Sequence, residues 1–532
     1  MDSLASADRA TKRATLIVAI LGSSIVFLDS TVVGVALPKI GRDLPRHVVG
    51  VLEGQFYVYS TYLLSLSSLL ILAGAISDHH GRRRMFAAGL AGFGATSALC
   101  GLAPSMEVLI AARFLQGAFG AMLVPGSMSL LSVTFTGEEK GRAFGLWAGA
   151  SAGTTLLGPL VGGVLVDVLT WRAAFLINIP LVVAGLLVIR RVPESRDAAS
   201  PGHFDWTGAA LAAGAVGGLV IAATDAGQRG FGDRTAVAAL CVGVASCVAL
   251  PVRLRRAANP LVPPALFRSR NFTVINVSTL LIYGALYVTF YYLGLLLQGV
   301  LGYSATAAGA AGVPTSILLT LFSARVGRFA GTRDPRLFLT LGPLLQAAGV
   351  LWFLRIGVAS AAWTLQPGNI ATWPPPRGYL VDLLPGILLF AIGLTILVAP
   401  LTNALMSSVS ATHAGVGSAV NNALSRVGPQ LAGAAIFIAL TATFFASLGT
   451  ALPGVNVGDA QVRSQVSAMN VASSSVTVVR AHGGEHFTTG AIRHAFASAS
   501  IDAFHVAMLV AAALLLCGAA VNFLGLERMA SE

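Results

Sequence analysis

Apolar runs of helix length, separated by short polar punctuation, recur along the whole chain. A helix that crosses the hydrocarbon core of a bilayer needs about 20 apolar residues. On that measure the runs predict spans at 14–37, 54–77, 85–103, 106–131, 143–167, 173–189, 206–224, 235–252, 272–298, 305–324, 337–357, 379–404, 413–445 and 502–525. Fourteen is an even number, so both ends of the chain return to one side. Of the 34 Lys and Arg, 21 fall in segments on the N-terminal side, 10 on the opposite side, and Arg113, Arg355 and Arg426 within spans. This bias puts both termini in the cytoplasm.

One run carries a second pattern. In GLWAGASAGTTLLGPLVGG, Gly145, Gly149 and Gly153 recur every four residues, which in a helix makes a smooth stripe that another backbone can approach closely. Gly158-Pro159 and then Gly162-Gly163 follow, a combination that favours a bend and is expected where helix bundles meet. The spacing returns as Gly415, Gly428-Pro429 and Gly433, with the Gly-Pro thirteen positions after the first Gly in both copies. Two related halves are therefore expected. The predicted organisation is a cytoplasmic N-terminus at 1–13, a six-helix bundle at 14–190, an inserted helix pair with polar linkers at 191–270, a second six-helix bundle at 271–525, and a cytoplasmic tail at 526–532.

Composition agrees with membrane burial: 55% of the 532 residues are hydrophobic and 11% charged, too little polar surface to cover a soluble globule. The net charge of +12 sits in short clusters between apolar runs, a topogenic pattern that argues against nucleic-acid binding. Cys100, Cys241, Cys247 and Cys517 lie inside apolar runs without metal-ligand spacing. Arg9, Lys12 and Arg13 precede an apolar run that continues to Pro38, too long for a signal-peptide core. The outer segment 446–501 contains His482, Glu485, His486 and His494 at irregular spacing and reads as a solvated loop or short amphipathic helices, with a metal site as the alternative.

Candidate chemistry lies within the spans. A P-loop is absent, since none of Lys12, Lys39 and Lys140 follows a glycine, so ATP hydrolysis is not expected. Asp29 is an acid deep in an apolar helix, the kind of residue that is costly in a membrane and usually functional; a helix-end carboxylate facing water is the other reading. Arg113 lies at a similar depth in the fourth span, which runs the opposite way. An arginine beside a buried carboxylate keeps it ionised until a proton or a cation competes. Asn421, Asn422, Arg426 and Gln430 are polar positions within span 13. The spacing of Asn422, Arg426 and Gln430 places these three on one face, which lines either a substrate path or another helix. Between spans 2 and 3, the run from Gly74 through Asp78 and Gly81 to Arg82 and Arg83 combines a turn glycine, an acid and retaining arginines, more than topology alone requires.

These residues resemble the major facilitator superfamily, specifically its fourteen-helix drug:proton antiporters. The resemblance rests on LDSTVVGVALP in span 1, GAISDHHGRRR between spans 2 and 3, RFLQG in span 4 and GP-xx-GG in span 5, with WRAAFLINIP and QGVLGYSATAAG as further matches. It implies an all-α integral membrane protein with two six-helix bundles plus two inserted helices. It implies proton coupling at Asp29 and Arg113, and a substrate cavity reached by Gln116, Asn421, Asn422, Arg426 and Gln430. It further implies a gating loop at Gly74, Asp78, Gly81, Arg82 and Arg83, and an antiporter helix carrying Gly149, Gly153, Gly158, Pro159, Gly162 and Gly163. Departures are Gly34, where many relatives have Asn, and Arg328, where the second half would repeat Asp78. No acid lies between Ala305 and Arg325, so a preference for dications is not expected. The implied activity is proton-driven export of amphipathic small molecules across a bacterial inner membrane by a monomer, with no cofactor, nucleotide or nucleic acid and with substrate, protons and lipid as partners. A narrow-specificity metabolite exporter or importer of this fold, or a non-transporting receptor or scaffold, are the other readings.

Overall fold

A computed structural model describes residues 8–47, 50–135, 137–195, 205–230, 232–257, 260, 264–330, 333–409, 414–452 and 489–527. Its helices are α1 (Arg9–Asp43), α2 (Val51–His80), α3 (Arg82–Gly101), α4 (Met106–Thr134), α5 (Gly137–Val168), α6 (Ala173–Leu176), α7 (Asn178–Val188), α8 (Trp206–Arg229) and α9 (Arg234–Arg256). There follow α10 (Arg270–Gly299), α11 (Ala305–Ala311), α12 (Val313–Ala330), α13 (Pro335–Trp352), α14 (Leu384–Ser407), α15 (Ala414–Ala451) and α16 (Thr489–Gly525). Among the described residues, ten helical stretches are long and apolar enough to cross a membrane.

The polar punctuation between runs does local work as helix caps. Asp8, Ser105, Asp233, Ser269 and Ser304 each accept from a backbone N–H in the first turn of the helix that follows, satisfying groups that lipid would leave bare. Prolines lie inside α1 (Pro38), α4 (Pro125), α5 (Pro159) and α15 (Pro429), as membrane-spanning helices packed among neighbours tolerate. Arg355, placed within a span by the sequence pattern, instead sits exposed in a 3-10 turn after α13 with its guanidinium 5.1 Å from the Trp352 ring centre. The helix there ends before the arginine.

Separate hydrophobic clusters fill the two halves. Tyr62, Phe86 and Phe93 lie at the centre of one, and Phe272, Phe353 and Phe390 at the centre of the other. The repeated Gly-Pro has the same structural meaning in each: Gly158 packs against Leu28 and Thr31 of α1, and Gly428 against Leu280 of α10. Each fifth helix thus lies backbone to backbone on the first helix of its own half. This corrects the expectation that Gly158 and Gly162 mark the seam between bundles, since Gly162 also faces α1, with Val32 Cγ1 2.9 Å from where a Cβ would sit. The seam is reached by the adjacent stripe, because residues four apart share a helix face. An added Cβ at Gly163 would strike the carbonyl of Ala305, and one at Gly309 would strike that of Pro159, so α5 and α11 cross with no room for a side chain.

A carboxylate fastens that crossing. Asp167, near the end of α5, accepts from the backbone N–H of Ala305 at 3.2 Å and of Thr306 at 2.7 Å, the first two donors of α11. Lys39 of α1 donates to Val166 O alongside at 2.7 Å. Aromatic contacts between the halves gather at the same end: Phe56 stacks on Phe437 at 5.1 Å, and Tyr59 meets Tyr291 at 4.9 Å. The two halves are therefore joined at the helix ends remote from Arg9 and Gly525, beside an apolar cavity lined by Pro38, Val51, Tyr291 and Phe437.

The inserted pair α8–α9 is joined by the close crossing of Gly218 and Gly243 and by Arg253 Nε donating to Asp205 at 2.9 Å. Its first helix contacts both α2 and α15, so it touches both halves. Tyr57 of α2 donates to Asp225 of α8 at 2.5 Å. Helix reaches into the outer segment 446–501 from both sides, because Phe444, Phe445 and Leu448 of α15 bury against Ile492 and Phe496 of α16. The histidine-bearing stretch 482–486 lies outside the described residues.

The α5–α11 contact makes a direct prediction. In a cysteine-free background with Ala305→Cys as reporter, Asp167→Asn and Gly163→Leu should each raise the rate of labelling by a membrane-impermeant maleimide several-fold. Equal rates with and without these changes would show that the crossing does not hold the halves together.

Candidate functional site

Four helical elements of the first half converge on Asp29. α1 supplies the carboxylate, α4 supplies Arg113 and Gln116 three residues apart on one face, α3 supplies Ser97, and the first residue of α7 is Asn178. Ile177 joins α6 to α7 with helical backbone, so the two run as one stretch that buries Asn178, and Pro180 lies in the first turn of α7. All five side-chain bearers are fully buried, at 0% exposure.

The hydrogen bonds form a closed set. Arg113 pairs with Asp29 Oδ2 and also donates Nη1 to Gln116 Oε1 at 2.8 Å and Nε to Val58 O at 3.1 Å. Asp29 Oδ1 accepts from Gln116 Nε2 and Asn178 Nδ2, each at 3.0 Å. Both amides also donate to Ser97 Oγ, at 3.2 and 3.0 Å, and Ser97 passes its own proton to Phe175 O at 2.8 Å. The Arg113 guanidinium lies 3.9 Å from the Tyr62 ring centre, and Tyr62 in turn donates to Val26 O at 3.1 Å. Arg113 Nη2 and Asn178 Oδ1 remain buried without a partner.

This arrangement has a chemical consequence. Both oxygens of Asp29 are occupied by donors that suit the ionised form.

The other sequence-derived candidates distribute as follows. Gln116 belongs to the Asp29 cluster. Asn421 turns into its own half, donating to Asn276 Oδ1 at 3.2 Å and Thr279 Oγ1 at 2.9 Å, which favours helix pairing at that position. Arg426 is half-buried and reaches across the seam to the Phe27 ring of α1, 5.5 Å from its centre, while Gln430 is buried. Gly153 of α5 faces open space. In the loop after α2, Gly81 adopts φ 110°, and Glu194 takes the amide donors of Arg83 and Arg84 at 3.0 and 3.1 Å. Arg82 N bonds Ser195 O at 3.0 Å. Glu194 thus caps α3. The surroundings of Gly74 and Gly149 and the side chain of Asp78 lie outside the described residues.

Two members of the cluster went unnoticed in the sequence. Asn178 carries a usable signal, as a lone amide within the apolar run 173–189. Ser97 carries none, since small hydroxyl residues are common along membrane helices.

The sequence profile described as Major Facilitator Superfamily matches residues 19–433. The chain belongs to that superfamily. It is 33% identical over 445 residues to the puromycin resistance protein pur8 of Streptomyces alboniger, covering 82% of this chain and 84% of that protein. It is 32% identical to the tetracenomycin C resistance and export protein of Streptomyces glaucescens, over 78% of this chain and 74% of the relative. The multidrug efflux pump LfrA of Mycolicibacterium smegmatis is 34% identical over 66% of this chain and 69% of its own length. In fold the chain is similar to a bacterial homolog of the human lysosomal transporter Spinster, in an inward-facing and unoccupied conformation, with a TM-score of 0.59 at 14% identity over 99% of this chain and 100% of that one. A peptide transporter POT in complex with sulfate gives 0.57 at 16% identity over 85% and 93%. It is a multi-pass membrane protein of a transporter family.

The cluster predicts a coupled stability effect. Arg113→Ala leaves the Asp29 carboxylate sealed without its cation, a change that costs about 3–5 kcal/mol in buried pairs. Arg113→Met combined with Asp29→Asn removes both charges and should recover much of that loss. Thermal unfolding in detergent tests this, and additive losses in the double variant would mean that the two groups are not coupled.

Proposed function

We propose that the protein is a proton-coupled secondary transporter that exports amphipathic small molecules across the bacterial cytoplasmic membrane by alternating access. The observation that carries this reading is the sealed, donor-saturated Asp29, which ties proton binding to helix movement. Kinship with resistance and export proteins supports the direction of transport and the class of cargo. The form described here, with its halves joined away from the termini, is the one that would take substrate from the cytoplasm. Opening the α5–α11 crossing would then release it outside, as two bundles rock about a midplane site. Fourteen crossings with both termini cytoplasmic, no cofactor beyond the proton gradient, and a monomeric unit complete the proposal.

Asp29→Asn should bind substrate and yet fail to concentrate it, because the amide mimics a carboxyl that is permanently protonated. In proteoliposomes with an imposed proton gradient, accumulation of a fluorescent amphipath should fall at least tenfold. Undiminished accumulation would move the coupling site elsewhere. Topology is checked separately by a reporter fused after Glu532, where activity of a form that works only outside the cytoplasm would refute the fourteen-crossing arrangement.

A further inference from the structure

Two arginines among the described residues lie within the interior of predicted spans, Arg113 and Arg426, and their situations differ. Arg113 is sealed and neutralised by Asp29. Arg426, at mid-length of span 13, is half-buried, and none of the described ion pairs includes it. Its guanidinium lies across the seam from its own helix, over the face of Phe27. Among the described residues, the seam therefore presents one uncompensated positive charge at mid-depth. Asp29 does not balance it, being fully buried and already spent on Arg113, Gln116 and Asn178. The other described carboxylates of the spans lie away from mid-depth: Glu53 and Glu107 in the first turns of α2 and α4, Asp167 at the end of α5, Asp225 near the end of α8, Asp382 just before α14, and Asp502 at the first position of span 14.

An unpaired guanidinium within a membrane is costly, and its usual resolution is a counter-charge. An aromatic face offsets part of that cost and leaves the N–H fork free for a planar anion. The aromatic wall formed by Tyr59 and Tyr291 stands in the same seam. Deepening the export reading, on which this rests, we propose that the transported molecules are amphipathic anions: flat or apolar bodies bearing a carboxylate or phenolate that pairs with Arg426. Cationic amphipaths are disfavoured by the same charge.

Binding and transport test this separately. Fluorescein, an anionic xanthene, and rhodamine 6G, a cationic xanthene of similar size, are titrated against the full-length protein in detergent by fluorescence polarisation. The wild type should bind fluorescein at least tenfold more tightly than rhodamine 6G. Arg426→Gln should lower that ratio at least tenfold, Arg426→Lys should lower it less, and Arg426→Glu should invert it. Rhodamine 6G binding as tightly as fluorescein, absence of fluorescein binding, or a ratio indifferent to Arg426 overturns the proposal. Thermal unfolding identifies any variant that fails to fold, and in that event the wild-type ratio and Arg426→Lys decide. Proton-driven accumulation of fluorescein in vesicles tests export itself: Arg426-dependent binding without accumulation would refute export and leave the anion site standing.

Discussion

A carboxylate in the middle of a membrane helix must be neutralised, paired or protonated, and much of the first half of this protein follows from how Asp29 meets that demand. One guanidinium and two amides converge on it from α4 and α7, with Ser97 of α3 tying the amides together. Three helical elements are thereby registered against α1. This polar knot and the apolar packing of Leu28, Ala112 and Phe175 beside it together set the positions of α3, α4 and α7. In lipid, where apolar contact alone gives helices little reason to prefer one neighbour, such a knot specifies the arrangement.

Glycine does the complementary work. α5 carries two stripes a single residue apart. One, Gly158 and Gly162, lies on α1 inside the bundle, and the other, Pro159 and Gly163, lies on α11 of the opposite half. The same helix thus meets its own half on one face and the opposite half on the next. Asp167 adds a directional bond to the second face by meeting the positive end of α11. Because α1 carries Asp29 and also receives the Gly158–Gly162 stripe of α5, the Asp29 cluster and the α5–α11 crossing lie on two directly packed helices.

The two halves use this design unequally. Gly428 packs on α10 as Gly158 packs on α1, so the helix-on-helix geometry is duplicated. The chemistry is not. Where the first half buries a paired charge, the second turns Asn421 toward Asn276 and Thr279 and leaves Arg426 facing the seam. Under the proposed mechanism, asymmetry of this kind would let one half hold the proton site while the other meets the cargo.

The sequence by itself determined what depends on local composition and period: an all-helical membrane protein, its span positions, the repeated Gly-Pro, and the singling out of Asp29, Arg113 and Arg426. Lipid makes each of these legible, because every polar residue in a span is an exception to an apolar background. Only the tertiary structure decided which exceptions meet. Hydropathy gives depth but not azimuth, so Arg113 and Arg426, alike as lone arginines in apolar helices, could not be told apart as one sealed pair and one open cation. The same limit hid Ser97 and placed Gly158 at the seam. Contacts between residues more than a hundred positions apart follow from how helices rotate against one another, which packing fixes only when all of them are assembled.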